Sequence, residues 1–194
     1  MILIGLTGII GSGKTFALNF FKSKKITVFS ADDEVKKIFK SKAIKDKIYK
    51  KFPEAFSKKK INKNKLASIV FSDRTKLRSL EEVIHPIVRK KKSFFLNKNK
   101  NKKIIIMEIP IIFEKKNKKN YDYIILMDVN KKIQRQRIIK RKNMTPQLFE
   151  KILSNQISDK KIKYADFVIN NNGSKNKTKQ ALKKTLDKIM EFLN

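Results

Sequence analysis

The sequence predicts an α/β fold built on a parallel sheet with helices on both of its faces. Three runs consist almost entirely of apolar residues, as is typical of central parallel strands: Ile2–Leu6, Ile104–Met107 and Tyr123–Val129. Helical spacing of apolar residues separates these runs, and such an alternation of strands and helices favours the α/β class. The chain has 194 residues, of which 40% are hydrophobic, so it is long enough for one domain with a sizeable core.

The remaining elements fit the same alternation. In chain order we expect a helix over 14–24, a strand at 26–29 and a Lys-rich series of helices and loops over 40–100. A helical stretch over about 130–163 follows and is broken near 144–146. The chain then continues with a strand at 167–169 and a helix over 176–193. Pro86 predicts the start of a helix within the Lys-rich series. The Lys- and Asn-rich stretches 98–103 and 115–120 predict surface turns.

Composition restricts the function less than the net charge of +32 suggests. Of the 49 basic residues 43 are Lys and six are Arg, and the chain is also rich in Asn, Ile and Phe, all encoded by A- or T-rich codons. We interpret the charge mainly as genome composition, although weak attraction to polyanions is expected. No apolar run approaches the length of a membrane span. The absence of cysteine suits a reducing compartment, and we expect a cytoplasmic location.

The first chemical motif is a glycine-rich turn between the first strand and the first helix. Residues 8–15 read GIIGSGKT and match the phosphate-binding pattern G-x-x-x-x-G-K-[ST] at every fixed position. In such a loop, backbone N–H groups converge on phosphate oxygens; Lys14 reaches the outer phosphates, Thr15 ligates Mg²⁺ and Phe16 offers its N–H. The alternative is a chance glycine-rich turn, which the strand and helix around the motif disfavour.

Two acidic residues are expected at the carboxyl edge of the sheet, beside this loop. Asp32 follows the second strand and could accept the proton of a substrate hydroxyl during phosphoryl transfer. It could equally cap the next helix, as could Ser30 and Asp33. Glu108 ends the strand that begins at Ile104, where it could order Mg²⁺ or its waters or simply be a solvated strand end.

Gln134, Arg137 and Arg141 share one face of a predicted helix. Half of the six arginines lie between 135 and 141, and guanidinium groups suit phosphates and can stack on adenine. A helix that closes over ATP would use Arg137 and Arg141 in this way, whereas a solvated basic face is the alternative. His85 is the only histidine, and taken alone it supports no role.

In their order and spacing these features resemble the dephospho-CoA kinase family over nearly the whole chain. No single element carries the resemblance. The matching elements are Leu6–Thr15, Ser30-Ala31-Asp32, Leu66-Ala67, Val70–Asp73, Val83–Val88, Ile109–Glu114, Gln134–Arg141, Thr145, Gln156, Ala165-Asp166, Val168-Ile169 and Asn171–Gly173. Adenylate or shikimate kinases would not be expected to show the His-Pro element at 85–86 and the Pro-Ile-Ile-Phe-Glu element at 110–114.

The resemblance implies a three-layer P-loop NTPase fold in a single domain. Its core would comprise residues 1–32, 102–130 and 164–194, with a helical insert at about 33–95 that holds the CoA moiety and a helical lid at about 130–163. The implied reaction is transfer of the ATP γ-phosphate to the ribose 3′-hydroxyl of dephospho-CoA, the last step of coenzyme A synthesis, with Mg²⁺ as cofactor. Ser30 replaces a family aspartate and Phe16 a family threonine, whereas Lys63 stands where arginine is usual.

The resemblance also assigns roles to individual residues. The implied catalytic residues are Asp32, which would act as the base, Lys14 and Arg137. The implied ATP-binding residues are Gly8, Gly11, Ser12, Gly13, Lys14, Thr15, Phe16, Arg137 and Arg141. The acceptor would be bound by Asp32, His85, Pro110 and Ile111, and the metal by Thr15 and Glu108. The expected partners are ATP and dephospho-CoA, without specific nucleic acid or membrane, in a monomer or small homo-oligomer. The alternatives are another small-metabolite P-loop kinase or a basic nucleic-acid-binding protein that carries a nucleotide loop.

Overall fold

The computed structural model describes residues 1–58, 60–108, 117–142, 144–156 and 165–192. Five strands form one parallel sheet: β1 (Ile2–Thr7), β2 (Thr27–Ser30), β5 (Ile104–Glu108), β6 (Tyr123–Asp128) and β7 (Phe167–Asn170), in the spatial order β2-β5-β1-β6-β7. All four pairings are parallel, with Ile4 of β1 beside Ile106 of β5 and Tyr123 of β6. The predicted parallel sheet is therefore confirmed.

The central strands are apolar throughout because both faces of the sheet are covered. One face packs against α1 (Lys14–Ser23) and α8 (Lys175–Glu191), where Phe21, Leu182 and Ile189 are buried. The other face packs Phe29, Ile105 and Met107 against Phe95 and Leu96 of α5 (Arg74–Lys98). The three layers of the predicted α/β fold are thus present.

The segment between β2 and β5 forms a helical insert with a core of its own. It contains α2 (Ala31–Ile38), α3 (Lys42–Lys51), α4 (Lys63–Phe71) and most of α5, and its buried residues include Ile48, Phe52, Leu66, Val70 and Ile84. A small antiparallel hairpin of β3 (Phe56–Ser57) and β4 (Lys60–Ile61) interrupts the helices. The sequence did not predict this hairpin, because strands of two residues show no measurable alternation.

Pro86 does not start a helix, and that prediction is wrong. It lies inside α5, the helix of 25 residues that begins after the capping residue Asp73. Asp73 Oδ1 accepts hydrogen bonds from the N–H groups of Thr75 and Lys76 and so fixes the start of the helix upstream. Packing of the neighbouring Ile84 into the insert core outweighs the one backbone hydrogen bond that a proline removes.

Two helices follow β6, where the sequence predicts a single interrupted helical stretch. They are α6 (Lys131–Ile139) and α7 (Pro146–Ser154), and the predicted break near Pro146 is confirmed, with Pro146 at the start of α7 behind the capping residue Thr145. The predicted lid extends to 163, so its part from 157 onwards lies outside the described residues. None of the helices that the structure describes is long and apolar enough to cross a bilayer.

Candidate functional site

The candidate site lies where the parallel strands end, because their carboxyl ends meet at one edge of the sheet. Strand β1 ends at Thr7 and runs directly into the glycine-rich loop, whereas β2 and β5 end at Ser30 and Glu108, which are register partners. On the other side, Asp128 of β6 pairs with Asn170 of β7. Every strand of the sheet therefore ends in a polar residue at this edge.

The loop at residues 8–15 has the conformation that its glycines permit. Gly13 has a φ angle of +99°, and a Cβ atom on it would lie 2.1 Å from Nδ2 of Asn171. Lys14 is buried, and its Nζ donates hydrogen bonds to the carbonyls of Gly8 at 2.8 Å and Ile9 at 3.4 Å. The loop thus surrounds the ammonium group of Lys14, and Gly13 lies where the side chain of Asn171 approaches the loop backbone most closely.

A cleft of about 460 Å³ opens at this loop. The residues that line it are Ile10, Gly11, Gly13, Lys14, Thr15, Phe16, Asp32, Arg137, Arg141, Gln156, Asn171, Gly173 and Lys175. Asp32 and Thr15 are exposed in it, so both side chains are open to a ligand. Asp32 and the basic candidates Lys14, Arg137 and Arg141 therefore line one cavity, whereas the other acidic candidate, Glu108, does not line it.

Two buried polar atoms beside the loop lack hydrogen-bond partners among the described residues. They are Ser12 Oγ and Arg137 Nη1. The other terminal nitrogen of the same guanidinium, Nη2, donates a hydrogen bond of 2.9 Å to the carbonyl of Asn171. Because unpaired buried donors are costly, a free guanidinium nitrogen at a phosphate loop favours an anionic ligand.

Asn171 connects the loop, α8 and Arg137. Its Nδ2 donates to the carbonyl of Ser12 at 2.8 Å, its Oδ1 accepts from Oγ1 of Thr178 at 2.9 Å, and its backbone N–H bonds the carbonyl of Asp128 at 2.8 Å. The side chain is buried. Sequence reasoning gave Asn171 no role beyond its place in the family pattern; the signal that could have found it is its position directly after β7, at the ligand-binding edge.

Glu108 lies beneath the acidic side of the site and is 2% exposed. Its Oε2 accepts a short hydrogen bond from the Ser30 hydroxyl, which in turn accepts from the N–H of Asp33 at 3.1 Å. Burial, followed by the nearby charge of Asp32, raises the pKa of the Glu108 carboxyl above its ordinary value. Ser30 is thus the residue that caps α2, while Asp32 lies one residue inside that helix.

The remaining predicted site residues either do not line the cleft or lie outside the described part of the chain. Gly8 is packed so tightly that an added Cβ would lie 2.4 Å from Ser12 Oγ. His85 lies on α5, with its Nδ1 4.0 Å from a carboxylate oxygen of Glu81, and it does not line the cleft. Pro110 and Ile111 lie outside the described residues, so their predicted contact with the acceptor stays a prediction.

Comparison with known proteins identifies the family. The family model for dephospho-CoA kinase matches residues 2–177. A dephospho-CoA kinase of Bartonella quintana is 39% identical over 194 residues, which cover 98% of this chain and 100% of that protein. The chain belongs to the dephospho-CoA kinase family. The predicted activity, ATP-dependent phosphorylation of dephospho-CoA as the final step of coenzyme A synthesis, is thereby confirmed.

Solved structures support the same assignment of fold. The protein TT1252 from Thermus thermophilus superposes with a TM-score of 0.77 at 28% identity, covering 96% of this chain and 97% of that one. A dephospho-CoA kinase from Campylobacter jejuni superposes with a TM-score of 0.60 at 24% identity, covering 96% of each chain, and this similarity shows the fold alone. The P-loop kinase fold of this dephospho-CoA kinase family member is therefore confirmed.

Proposed function

We propose that Asp32 is the general base of the phosphoryl transfer and that the loop at 8–15 and Arg137 hold the phosphates of ATP. The ribose 3′-hydroxyl oxygen of dephospho-CoA attacks the γ-phosphorus, the bond from that phosphorus to the β,γ-bridging oxygen breaks, and ADP leaves. The hydroxyl proton passes to the Asp32 carboxylate. The observation that carries this assignment is the exposed Asp32 carboxylate in the same cleft as Lys14 and Arg137.

Charge in the cleft is arranged for this reaction. Lys14 is buried against the loop, and Nη1 of Arg137 has no hydrogen-bond partner among the described residues, so we assign both cations to the place where charge develops on the γ-phosphate. Arg141 lines the same cleft and is exposed, which suits contact with the bound nucleotide. Lys14 and Arg137 are thus fixed by hydrogen bonds to backbone carbonyls, whereas Arg141 is open to solvent.

The oxygen donors of the site fit Mg²⁺. The Thr15 hydroxyl is exposed in the cleft, and hard oxygen ligands with phosphate groups and water complete the usual Mg²⁺ environment. Glu108 is buried against Ser30 and does not line the cleft, so its predicted role at the metal stays a prediction. When bound, Mg²⁺ neutralises charge on the β- and γ-phosphates. Mg²⁺ dependence, the insert as CoA-binding region and a cytoplasmic location stay predictions.

The test compares Asp32→Asn with the matched variant Asp33→Asn. Asp33 is the next residue of α2, but its carboxylate pairs with Lys36 at 2.7 Å on the surface. Asp32→Asn should lower kcat roughly 10²- to 10⁴-fold, since it removes the proton acceptor, and should leave ATP binding within about twofold. Asp33→Asn should retain nearly normal turnover. Equal turnover of the two variants in a coupled ADP-release assay with dephospho-CoA would exclude Asp32 as the base.

A further inference from the structure

Ile10 occupies the tip of the phosphate loop, and two glutamines hold its backbone. The loop closes a turn here, since the N–H of Ser12 donates to the carbonyl of Ile9 at 3.1 Å. Gln134 Nε2 donates to the carbonyl of Ile10 at 2.7 Å, and Gln156 Oε1 accepts from its N–H at 2.9 Å. Both polar groups of one backbone residue are therefore held by side chains 124 and 146 positions away.

The two glutamines come from different elements and approach from different sides. Gln134 is on α6 and is 1% exposed, whereas Gln156 is half-buried just beyond the end of α7 and lines the cleft. Helix α6 also packs on the next loop residue, because a Cβ on Gly11 would lie 2.9 Å from Cγ1 of Ile138 and 3.2 Å from Cγ of Gln134. The tip of the loop is thus fixed by contacts that lie outside the phosphate-binding motif.

We propose that Gln134 and Gln156 are positioning residues that set the phosphate loop for ATP. The following residues, Gly11 to Thr15, must aim their N–H groups at one phosphate, and such convergence depends on the direction in which the chain leaves the tip. Gln134 also lies one helical turn before Arg137, so the same helix fixes the loop and the guanidinium in one geometry. The inference rests on the proposed role of the loop in holding ATP.

A neutral amide is suited to each position. The buried Gln134 must donate to a carbonyl, which a carboxylate cannot do, and a buried ammonium would place a further charge behind the loop. Gln156 accepts from an N–H while lining a cleft that receives phosphates, so a carboxylate there would repel the ligand. The glutamines therefore orient the backbone without altering the electrostatics of the phosphate site.

The experiment measures direct binding of Mg·ATP by calorimetry to full-length Gln134→Met, Gln156→Met and the double variant. Methionine keeps the length of the side chain and removes the amide. Gln136→Met is the matched control, because Gln136 is on α6 but exposed. Each single variant should raise the Kd of ATP roughly five- to tenfold, the value of a lost hydrogen bond, whereas the control should stay within about twofold.

The two contacts should also be coupled. A residue released at either point can reorient, so the double variant should weaken ATP binding by clearly less than the product of the two single effects. The KM for dephospho-CoA should stay within about twofold of the parent value, because both contacts are on the ATP side. An unchanged Kd in either single variant, fully multiplicative effects, or an equal rise in the KM for dephospho-CoA would overturn the proposal. Absent binding of Mg·ATP by the parent enzyme would instead refute the proposed role of the loop in holding ATP.

Discussion

A substitution that exchanges one group of the Asn171 side chain tests the hydrogen bond that its amide donates to the phosphate loop. Asn171→Asp replaces the Nδ2 donor by an oxygen of almost the same size, while Oδ1 can still accept from Thr178. The lost group is the one that donates to the carbonyl of Ser12 at 2.8 Å. The new oxygen would face that carbonyl oxygen inside a buried site, so an attraction becomes a repulsion.

Its neighbour supplies a matched control. Asn172 uses its side chain in the opposite sense, since Oδ1 accepts from the N–H of Asn130 at 2.7 Å. Asn172→Asp keeps that acceptor and adds the same negative charge to a chain of net charge +32. Asn172 is also only one residue nearer to the start of α8 than Asn171 is. The added charge is therefore common to both variants, whereas the direction of the hydrogen bond and the burial of the side chain differ.

The expected cost follows from these contacts. Asn171→Asp leaves a buried carbonyl without its donor and places a carboxylate beside it, which should lower the free energy of unfolding by about 2–4 kcal/mol. For a chain of this size that is a fall in Tm of roughly 5–15 °C. Asn172→Asp should change the free energy of unfolding by less than about 0.5 kcal/mol, as is usual for substitutions that break no buried contact.

Thermal unfolding followed by circular dichroism measures both variants, and Mg·ATP binding is measured in parallel. Because Asn171 holds the carbonyl of Ser12 and bonds Arg137 through its backbone, its variant should also bind ATP more weakly. If both variants lowered Tm equally, added charge rather than hydrogen-bond direction would decide the effect, and our reasoning about Asn171 would be refuted.

Three further variants test the packing and charge of the same fold. Gly13→Ala should lower the free energy of unfolding by about 2–4 kcal/mol and abolish measurable ATP binding. The new Cβ would collide with Asn171, and the φ angle of +99° is unfavourable for alanine. Normal binding of ATP in a calorimeter would contradict this. Glu108→Gln should raise Tm at pH 8, because burial raises the pKa of the Glu108 carboxyl and its ionisation therefore opposes folding. The gain in Tm should vanish below pH 4.5, the ordinary pKa, where the carboxyl is protonated in the folded and the unfolded state. A gain in Tm that grew on acidification would contradict this argument. Pro86→Ala should raise Tm by several degrees, because it restores a backbone donor inside α5, and an unchanged or lowered Tm would show that the proline is accommodated without cost.

Local patterns predicted the sheet and the phosphate loop because both are encoded in neighbouring residues. Strands buried on both faces must be continuous apolar runs, as at Ile104–Met107, and the loop needs its glycines and Lys14 at fixed spacing. Pro86 misled the prediction for the opposite reason. The continuation of α5 through it depends on packing against the insert core, which residues adjacent in sequence do not reveal.

The supports of the site could not be predicted in the same way. Asn171 bonds the loop across 159 residues, and Gln134 and Gln156 do so across more than a hundred. An asparagine or a glutamine carries no periodicity and no net charge, so the sequence shows where it is but not which backbone group it holds. The resemblance to the family placed these residues in a pattern; their hydrogen bonds required the fold.

Net charge and fixed geometry contribute differently to the binding of an anionic substrate. A net charge of +32 attracts anions such as ATP, but net charge by itself does not distinguish one anion or one orientation from another. Within the cleft, Lys14 and Arg137 differ from surface lysines because hydrogen bonds to backbone carbonyls fix them. Those carbonyls belong to Gly8 of the phosphate loop and to Asn171, so the fold, rather than the amount of charge, determines where both cations lie.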